Sequence, residues 1–438
     1  MDLLSNNFSE EITVYWFRRD LRLDDNHGLF KALSENSNVL PIFIFDTNII
    51  DNLPENDHRI TLIYNRLKEL NNHLTQHFNK QIVVFKNNPQ EVFKQLINTF
   101  KIKHVYTNED YEPYAQDRDR QIKKLLRNSN IPINFFTDQV IFSPHEISTN
   151  SNGVYKVFTP FSKKWLYKFN IIHDLPHYPS ENYLTNFLSI KQEYQFPSLE
   201  TLGFKESALR YSVPQFDKLT QTIKNYHLTR DVFELDNGTT HISTALRFGL
   251  MSIRKLVNAA KINPVYLNEL IWREFFQHII YHFPNSATQN FKNINIPVEN
   301  NLQMFEKWKN AQTGYFLIDA AINQLNKTGY MHNRLRMLTA NFLCKILWVD
   351  WRWGERYFAE KLFDFELASN SGNWQWASGT GVDSAPYFRI FNPESQLKKF
   401  DPNNKFITKW LPYNLNAAPN KIVDYSHRRQ MYLNMMKK

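Results

Sequence analysis

The first 140 residues alternate between short apolar runs and longer stretches with helical periodicity. The apolar runs are rich in β-branched and aromatic residues, which predicts strands at 12–17, 39–45, 81–85, 104–106 and 131–136. Between them, apolar residues recur with the spacing of amphipathic helices, at 26–34, 58–78, 90–99 and 114–128. Strands that alternate with helices predict a doubly wound parallel sheet, so we expect an α/β N-terminal domain.

The rest of the chain loses this alternation. Residues 141–205 are rich in Pro, Ser, Asn and Tyr and show weak periodicity, which predicts a long interdomain linker with some short helices. From residue 206 to residue 438 the strand signals fade and helical periodicity dominates. We therefore predict an α/β domain over 1–140, a linker over 141–205 and an all-α C-terminal domain over 206–438.

Composition narrows the class of protein. A chain of 438 residues with 42% hydrophobic and 22% charged residues is typical of a soluble globular protein, and no run approaches the roughly 18 apolar residues of a membrane helix. No secretory signal opens the chain, and Cys344 is its only cysteine, which excludes an internal disulfide and favours a cytoplasmic location. The net charge of +9 favours a polyanionic partner.

Glycine and tryptophan are distributed unevenly along the chain. Residues 1–200 contain only Gly28 and Gly153, so the first domain lacks the glycine-rich loop through which NAD or ATP is usually bound. Eight of the ten tryptophans lie between Trp272 and Trp410. Such a concentration of indoles is more typical of a stacking or redox site than of a plain core.

Residues 238–243, GTTHIS, carry three hydroxyls directly before a predicted helix at 244–248. The N-terminus of a helix offers free backbone N–H groups and the positive end of its dipole, so this segment can hold a diphosphate. An ordinary Ser/Thr helix cap explains the same residues. The sequence leaves both interpretations open.

A predicted helix at 267–282 places Glu269, Trp272, Arg273 and Phe276 on one face. A carboxylate, an indole and a guanidinium are costly to bury together in an apolar core, and they suit a polar pocket with an aromatic wall. The alternative is a partly exposed helix on which Glu269 and Arg273 form an i,i+4 ion pair.

A second predicted helix, at 331–347, has Asn333, Arg336, Met337 and Ala340 on one side. Arg334 points elsewhere, so the two arginines are expected to serve different partners. A methionine at helical spacing usually belongs to a core, but Asn333 and Arg336 beside it favour a site.

Residues 364–376, DFELASNSGNWQW, end on Trp374 and Trp376. We predict a turn at 370–373, formed by Asn, Ser, Gly and Asn. If the stretch is helical, the two indoles point in different directions and can serve separate tasks. The alternative is a core loop bracketed by two tryptophans.

These segments resemble the photolyase and cryptochrome flavoproteins. The resemblance covers nearly the whole chain, from WFRRDLR at 16–22 to GTTHISTALRFG, NELIWREF, TGYMHNRLRM, DWRWGERYF, SNSGNWQWASGTGVDSAPYFRIFNP and KFDPNNKFITKWLP. It implies an N-terminal α/β domain joined by a long linker to an all-helical domain that holds a U-shaped FAD. The alternation followed by helices agrees with that fold.

The resemblance implies a set of FAD-binding residues: Tyr226, Thr239, Thr240, His241, Ile242, Ser243, Arg273, Arg336, Asp364, Glu366 and Asn370. Arg336 and Asp364 would pair beside the flavin ring, and Asn370 would face flavin N5. The family usually has an aspartate where this chain has Glu366, which leaves the role of that carboxylate open.

The resemblance also implies damaged DNA as the partner, with no metal and a monomeric protein. A flipped pyrimidine dimer would lie among Glu269, Trp272, Asn333, Met337 and Trp376, and DNA contacts would come from Arg230, Arg334, Arg389 and Lys399. Flipping a poorly stacked dimer costs less than flipping an intact base. Reduced FAD would absorb blue light and lend the dimer one electron, which makes the protein a light-dependent carbon–carbon lyase.

Met337 favours an enzyme for cyclobutane dimers, because (6–4) photolyases and animal-type cryptochromes typically have a histidine there. The chain also ends soon after Trp410 in a short basic tail, without a long signalling extension. Both features favour repair, and a cryptochrome-type blue-light sensor or a (6–4) photolyase is the competing hypothesis.

Two further expectations follow from the resemblance. Trp374 and Trp351 match the inner tryptophans of the family's electron path, but the outer position falls on Val298. Either Trp353, Trp348 or Trp308 would supply another exit, or light would reduce the flavin poorly. Glu112 resembles a carboxylate that contacts an antenna folate. Folate, a deazaflavin, a flavin and no antenna pigment at all remain open.

Overall fold

The computed structural model describes residues 11–171, 175–189, 194–411 and 420–437. Some residues named above lie outside the described ones: the opening residues 1–10, parts of the predicted linker (172–174 and 190–193), and Pro412, the last residue of KFDPNNKFITKWLP.

The chain divides into two compact units, each made of three segments. The first consists of Met1–Glu146, Ile172–Val213 and Ile242–Asn258, and the second of Ile147–Ile171, Pro214–His241 and Ala259–Lys438. Residues 242–258 therefore belong to the first unit, whereas residues 147–171 belong to the second.

The first unit contains a parallel five-stranded sheet with the order β3-β2-β1-β4-β5. Its strands are β1 (Glu11–Phe17), β2 (Val39–Asp46), β3 (Val83–Asn87), β4 (Lys101–Asn108) and β5 (Ile133–Phe136). The helices that follow them are α1 (His27–Glu35), α2 (Thr47–Ile50), α3 (His58–Phe78), α4 (Pro89–Thr99) and α5 (Pro113–Asn128). All five predicted strands and four predicted helices are confirmed, and only the short α2 was missed.

Alternate residues of β1 are buried on opposite faces of the sheet. Tyr15 and Phe17 pack in one apolar cluster, while Val14 and Trp16 pack in the other. A strand buried on both faces needs helices on both sides, which is the doubly wound arrangement predicted from the sequence. Side-chain caps start α1, α2, α3 and α4, as where Asn26 accepts a hydrogen bond from the backbone N–H of Leu29.

The arginines of WFRRDLR are mainly structural. Arg22 is buried and pairs with Asp138 at 2.7 Å, and Arg18 pairs with Asp119 at 2.6 Å. Because a buried guanidinium is costly without a partner, these ion pairs fix the loop after β1 within the first unit.

Helices make up the regular structure of the rest of the described chain. They are α6 (Phe158–Ile171), α7 (Phe216–Thr229), α8 (Ser243–Arg247), α9 (Ile253–Ala260), α10 (Pro264–His282), α11 (Leu302–Lys309), α12 (Phe316–Thr328), α13 (Asn333–Lys345), α14 (Trp351–Lys361), α15 (Leu367–Ser378), α16 (Pro393–Phe400), α17 (Lys405–Trp410) and α18 (Tyr425–Met436). Short 3₁₀ helices lie at Ser180–Asn186 and Pro284–Ala287. In the second unit, α13 packs with α12, α14 and α15 around one large apolar cluster.

The turn predicted at 370–373 is wrong, because these residues lie inside α15. Their polar side chains turn back onto the helix: Ser371 Oγ donates to the carbonyl of Leu367 at 2.7 Å. Gly372 lets the ring of Phe276 lie against the helix, since a Cβ there would come within 2.3 Å of Phe276 Cδ1. Packing thus outweighs the low helix propensity of Asn, Ser and Gly.

The described residues contain neither a candidate membrane helix nor a candidate metal-binding cluster. Within those ranges no helix is both long and apolar enough to cross a membrane. The same residues contain no group of three His, Cys, Asp or Glu side chains that could hold a metal ion.

Candidate functional site

Two charged side chains on α10, Glu269 and Arg273, form ion pairs with different partners. Glu269 Oε1 lies 2.9 Å from Arg230 Nη1, and Arg273 Nη2 lies 2.9 Å from Glu366 Oε1. The structure thus joins Glu269 to Arg230, not to Arg273 as the alternative of an i,i+4 ion pair required. One face of α10 therefore contributes to two charged pairs.

Burial governs the state of Glu269. It raises the pKa of Glu269 above its ordinary value, while the Arg230 guanidinium acts in the opposite direction and Asp231 adds to the rise. A carboxyl with a raised pKa holds its proton to a higher pH and can then donate a hydrogen bond. Arg230 also supplies a positive charge that favours the ionised form.

Two half-buried tryptophans were predicted to line the pocket. Trp272 stacks on Phe158 with ring centroids 3.6 Å apart and an interplanar angle of 5°. Trp376 lies on α15 and packs against the large apolar cluster. Trp272 and Trp376 each keep part of their surface accessible to solvent. Trp374, two residues before Trp376 on α15, is buried. The two tryptophans of α15 therefore do point in different directions.

The predicted diphosphate segment divides at the boundary between the units. Ile242 and Ser243 begin α8 in the first unit, and Ile242, its N-cap, makes no side-chain capping bond. In the second unit the hydroxyls of Thr239 and Thr240 lie 3.1 Å from the hydroxyls of Tyr330 and Tyr266. The alternative of an ordinary Ser/Thr cap is therefore wrong.

His241 and Tyr226 lie beside these hydroxyl pairs. The His241 ring lies 4.4 Å from that of Tyr330, and its Nε2 is 2.9 Å from the carbonyl oxygen of Asp236. Tyr226 packs edge-on against Tyr266 with centroids 5.0 Å apart. The structure thus gathers hydroxyl groups and one imidazole in the second unit.

Arg336 and Asp364 form the ion pair that the resemblance implies, with Nη2 and Oδ2 2.9 Å apart. Arg336 Nε also donates to the carbonyl of Met331 at 2.7 Å, which fixes the guanidinium. The other carboxylate oxygen of Asp364, Oδ1, is buried without a hydrogen-bond partner among the described residues. A buried acceptor of this kind suits a donor on a bound molecule.

Glu366, where the family usually has an aspartate, is buried and already engaged. Oε1 pairs with Arg273, and Oε2 accepts a hydrogen bond from Ser369 Oγ at 3.0 Å. The longer side chain thus places its carboxylate on Arg273.

Asn370 is buried on α15, and its amide donates to Glu355 on α14. The Nδ2–Oε1 distance is 2.8 Å, and the bond to the Glu355 carbonyl is 3.0 Å. Burial raises the pKa of Glu355, and the hydrogen bond from Asn370 partly offsets that rise. Glu355 fixes the orientation of the amide, so that a face of Asn370 can be held towards a ligand.

Three buried tryptophans, Trp308, Trp351 and Trp374, lie in the apolar cluster of the second unit. Trp374 packs edge-on against Phe358 at 4.9 Å and against Trp308 at 6.2 Å. Gly354 permits this packing, because a Cβ there would come within 2.1 Å of the Trp374 ring. Trp351 donates from Nε1 to Asn290 Oδ1 at 2.9 Å.

Val298, at the expected position of an outer tryptophan, is 41% exposed. The backbone N–H of the next residue, Glu299, donates to the carbonyl of Trp348 at 2.7 Å. The Arg428 guanidinium lies 3.6 Å from the centroid of Trp348. A cation against the ring opposes removal of an electron from it, which makes Trp348 an unfavourable electron donor.

Two of the predicted DNA-binding cations, Arg334 and Lys399, lie beside the same aromatic ring. Arg334 lies 3.8 Å from the ring centroid of Phe400, and Lys399 Nζ lies 5.0 Å from the same ring. Arg334 also pairs with Asp231 at 2.6 Å, so the two arginines of α13 do have different partners. Arg389 is exposed on the segment between α15 and α16.

The last predicted residues occupy α13 and the sheet edge. Asn333 is exposed at the start of α13, and Met337 is half-buried one turn later. In the first unit, Glu112 follows β4 and starts α5, with its carboxylate 3.4 Å from Arg19 and 3.9 Å from Arg247. Glu112 thus lies at the carboxyl edge of the sheet, where α/β folds bind ligands.

Sequence reasoning missed the partners of the site residues. These are Asp231, Tyr266, Tyr330, Glu355 and Phe158. Tyr330 and Glu355 lie within TGYMHNRLRM and DWRWGERYF, two of the stretches that carry the family resemblance. The sequence shows which polar groups these residues carry, but it does not show which side chains they contact in the fold.

The chain is similar to known proteins over most of its length. The family model described as DNA photolyase matches residues 13–180, and the model described as FAD binding domain of DNA photolyase matches residues 266–437. The chain is similar to deoxyribodipyrimidine photo-lyases from Escherichia coli K12 (36% identity over 94% of this chain and 90% of that one) and Synechococcus sp. (34%, 94% and 90%). It is also similar to the structure of an archaeal photolyase from Sulfolobus tokodaii with two FAD molecules, with a TM-score of 0.80 and 31% identity over 97% of this chain and 99% of that one.

Proposed function

Because the chain belongs to the DNA photolyase family, we propose that it is a deoxyribodipyrimidine photo-lyase that splits cyclobutane pyrimidine dimers in DNA under blue light. The observation that carries the proposal is identity of 34–36% over 94% of the chain to two proteins of that name. The second unit supplies the chemistry: a carboxyl of raised pKa, accessible indoles and exposed cations.

The residues of the second unit fit FAD. The free Oδ1 of Asp364 can accept a hydrogen bond from the cofactor, and Arg336 holds that carboxylate in place. The hydroxyls of Thr239 and Thr240, with the guanidinium of Arg273, suit phosphate oxygens. When bound in its reduced form, FAD supplies the light-driven electron that opens the dimer and takes it back afterwards.

The protein's own residues bind and orient the lesion. Trp272 and Trp376 offer apolar faces to the flipped dimer, and such stacking is worth about 1–3 kcal/mol per base. Phe158 holds Trp272 from behind, because the two rings are stacked. Asn333 and Met337 are proposed to complete the pocket.

Contacts with the DNA backbone are assigned to Arg230, Arg334, Arg389 and Lys399. Phosphate contacts give affinity without sequence preference, and the net charge of +9 favours them.

We further assign the domains to 1–140, 141–205 and 206–438. We place the protein, as a monomer, in the cytoplasm, because a chain with Cys344 as its only cysteine needs no disulfide. Glu112 is the tentative antenna contact.

The purified protein is expected to be yellow, to release FAD on denaturation and to repair a defined cyclobutane dimer under blue light. Absorption spectra, mass analysis of the released pigments and chromatography of the repaired oligonucleotide measure these properties. A folded, colourless protein that takes up no FAD would contradict the flavoprotein assignment. Bound FAD without repair of this dimer would favour the sensor, and repair of a (6–4) photoproduct alone would favour that enzyme class.

Replacing Glu269 by alanine is expected to lower the yield of repair per absorbed photon several-fold while most of the lesion affinity remains. The reason is that a hydrogen bond aimed at a developing negative charge matters more on the dimer radical anion than on the neutral dimer. Glu269→Gln keeps an N–H donor and is expected to retain more of the yield than Glu269→Ala. Quantum yields at saturating protein measure the effect, and equal yields in all three proteins would remove Glu269 from this role.

A further inference from the structure

Lys345, the last residue of α13, is completely buried, with 0% of its surface exposed. Its Nζ lies within hydrogen-bond distance of the carbonyl oxygens of Pro386 (3.3 Å), Tyr387 (3.4 Å) and Arg389 (3.2 Å). An ammonium group has three N–H donors, and all three acceptors lie on one short segment.

Asn341 lies one turn earlier on α13 and holds the same segment. Its Nδ2 donates to the carbonyl of Arg389 at 3.3 Å, and its Oδ1 accepts a hydrogen bond from the backbone N–H of Phe391 at 3.0 Å. Asn341 is also fully buried. Two buried polar side chains of one helix thus bind the backbone of residues 386–391, which we call the 386–391 loop.

A buried ammonium is costly, which makes its presence informative. Desolvation lowers the pKa of Lys345 to about 8, and the charge of Arg389 acts in the same direction. A methionine of similar length would fill the position without this cost. The hydrogen bonds to the 386–391 loop offset the cost of burying the ammonium group.

The 386–391 loop has little structure of its own to hold it. It lies between α15 and α16. Its backbone forms a single turn, closed by the hydrogen bond from the Arg389 N–H to the Pro386 carbonyl (3.0 Å). Towards solvent it presents the exposed side chains of Arg389 and Phe388, the latter 61% exposed. Its inner side is the backbone that Lys345 and Asn341 bind.

We propose that Lys345 and Asn341 are positioning residues for DNA binding: they hold the 386–391 loop so that Arg389 is already in place when it meets the DNA backbone. The inference rests on the proposed function, in which Arg389 contacts phosphate. The carbonyl of Arg389 accepts bonds from both residues, so the base of this side chain is fixed. Fixing it beforehand lowers the conformational entropy lost on binding.

Lys345→Met is expected to weaken binding to a dimer-containing duplex by about threefold to tenfold, the usual worth of ordering one long side chain. Removing a phosphate contact lowers the slope of log affinity against log salt by about one, so Arg389→Ala should show a lower slope, whereas Lys345→Met, which keeps the Arg389 side chain, should retain the wild-type slope. In Lys345→Met, repair per absorbed photon at saturating protein and the FAD content are expected to stay near wild type. Titrations over a range of salt concentrations measure the affinities.

A double-mutant cycle separates positioning from a general loss of stability. If Lys345 acts through Arg389, the variant Lys345→Met/Arg389→Ala binds no more weakly than Arg389→Ala alone. Lys327→Met, at an exposed position on α12, controls for the loss of one positive charge. If Lys345→Met does not fold, Asn341→Ala provides the same test with a neutral side chain.

Unchanged affinity in Lys345→Met or, where that variant does not fold, in Asn341→Ala would overturn the inference. Additive losses in the double mutant, or an Arg389→Ala variant that binds DNA normally, would also overturn it. Wild-type protein that binds FAD but repairs no dimer would instead overturn the proposed function. The two failures are thus distinguishable.

Discussion

Trp376→Ala is expected to weaken binding to dimer-containing DNA by about 1–3 kcal/mol, the worth of one aromatic stack. Binding to undamaged DNA should change far less, because phosphate contacts dominate it and Trp376 contributes none. The structure supports this assignment, since Trp376 is half-buried on α15 while its neighbour Trp374 is buried. Parallel titrations of damaged and undamaged duplexes measure the difference.

The matched control is Trp353→Ala. Trp353 lies on α14, is also half-buried and packs against the same apolar cluster, so its removal costs comparable packing away from the proposed pocket. A loss of lesion affinity in Trp376→Ala but not in Trp353→Ala would separate recognition from stability. Equal losses for both DNAs in Trp376→Ala would show that this indole does not recognise the lesion.

The sheet could be predicted from the sequence because its signals are local. Every residue of β1 from Ile12 to Phe17 is buried, so the strand appears in the sequence as a short apolar run, and the helices between the strands show the spacing of amphipathic helices. The same local rules failed at 370–373, where helix-breaking residues lie inside α15 because Gly372 accommodates the ring of Phe276. That contact joins residues far apart in sequence, and no local rule contains it.

The site shows the same division. One face of α10 could be predicted from spacing, but the partner of Glu269 could not, because Arg230 lies on another segment and competes with the nearer Arg273. The packing of the helices determines which charged side chains meet, and it places Arg273 against Glu366. The residue types of a site are thus readable from sequence, whereas its ion pairs depend on the tertiary fold.

The route by which electrons reach the flavin is a proposal specific to this chain. Trp374 is the assigned inner donor and Trp351 the next, but Val298 stands where an outer indole is expected. Trp308 contacts Trp374 edge-on at 6.2 Å, whereas Trp348 carries the Arg428 cation against its ring. Trp308 therefore has the geometry of a second branch. Val298→Trp is expected to speed photoreduction, because it places an indole at the expected outer position.

Trp374→Phe is expected to reduce the rate of photoreduction of oxidised FAD to a small fraction of the wild-type rate. Phenylalanine keeps most of the aromatic bulk against Phe358 and Gly354, so packing should largely survive, but its ring is much harder to oxidise than indole. Repair by the same variant, with its flavin reduced chemically beforehand, should stay near wild type, because the electron for the dimer then comes from the cofactor already reduced. Absorbance at the oxidised flavin band under blue light measures the rate of photoreduction, and repair of a defined dimer under anaerobic conditions measures the rate of repair.

Trp308→Phe serves as the comparison, since it removes an indole in contact with Trp374 and leaves Trp374 itself in place. Normal photoreduction in Trp374→Phe would mean that electrons enter by another route, and Trp374 would lose its assignment.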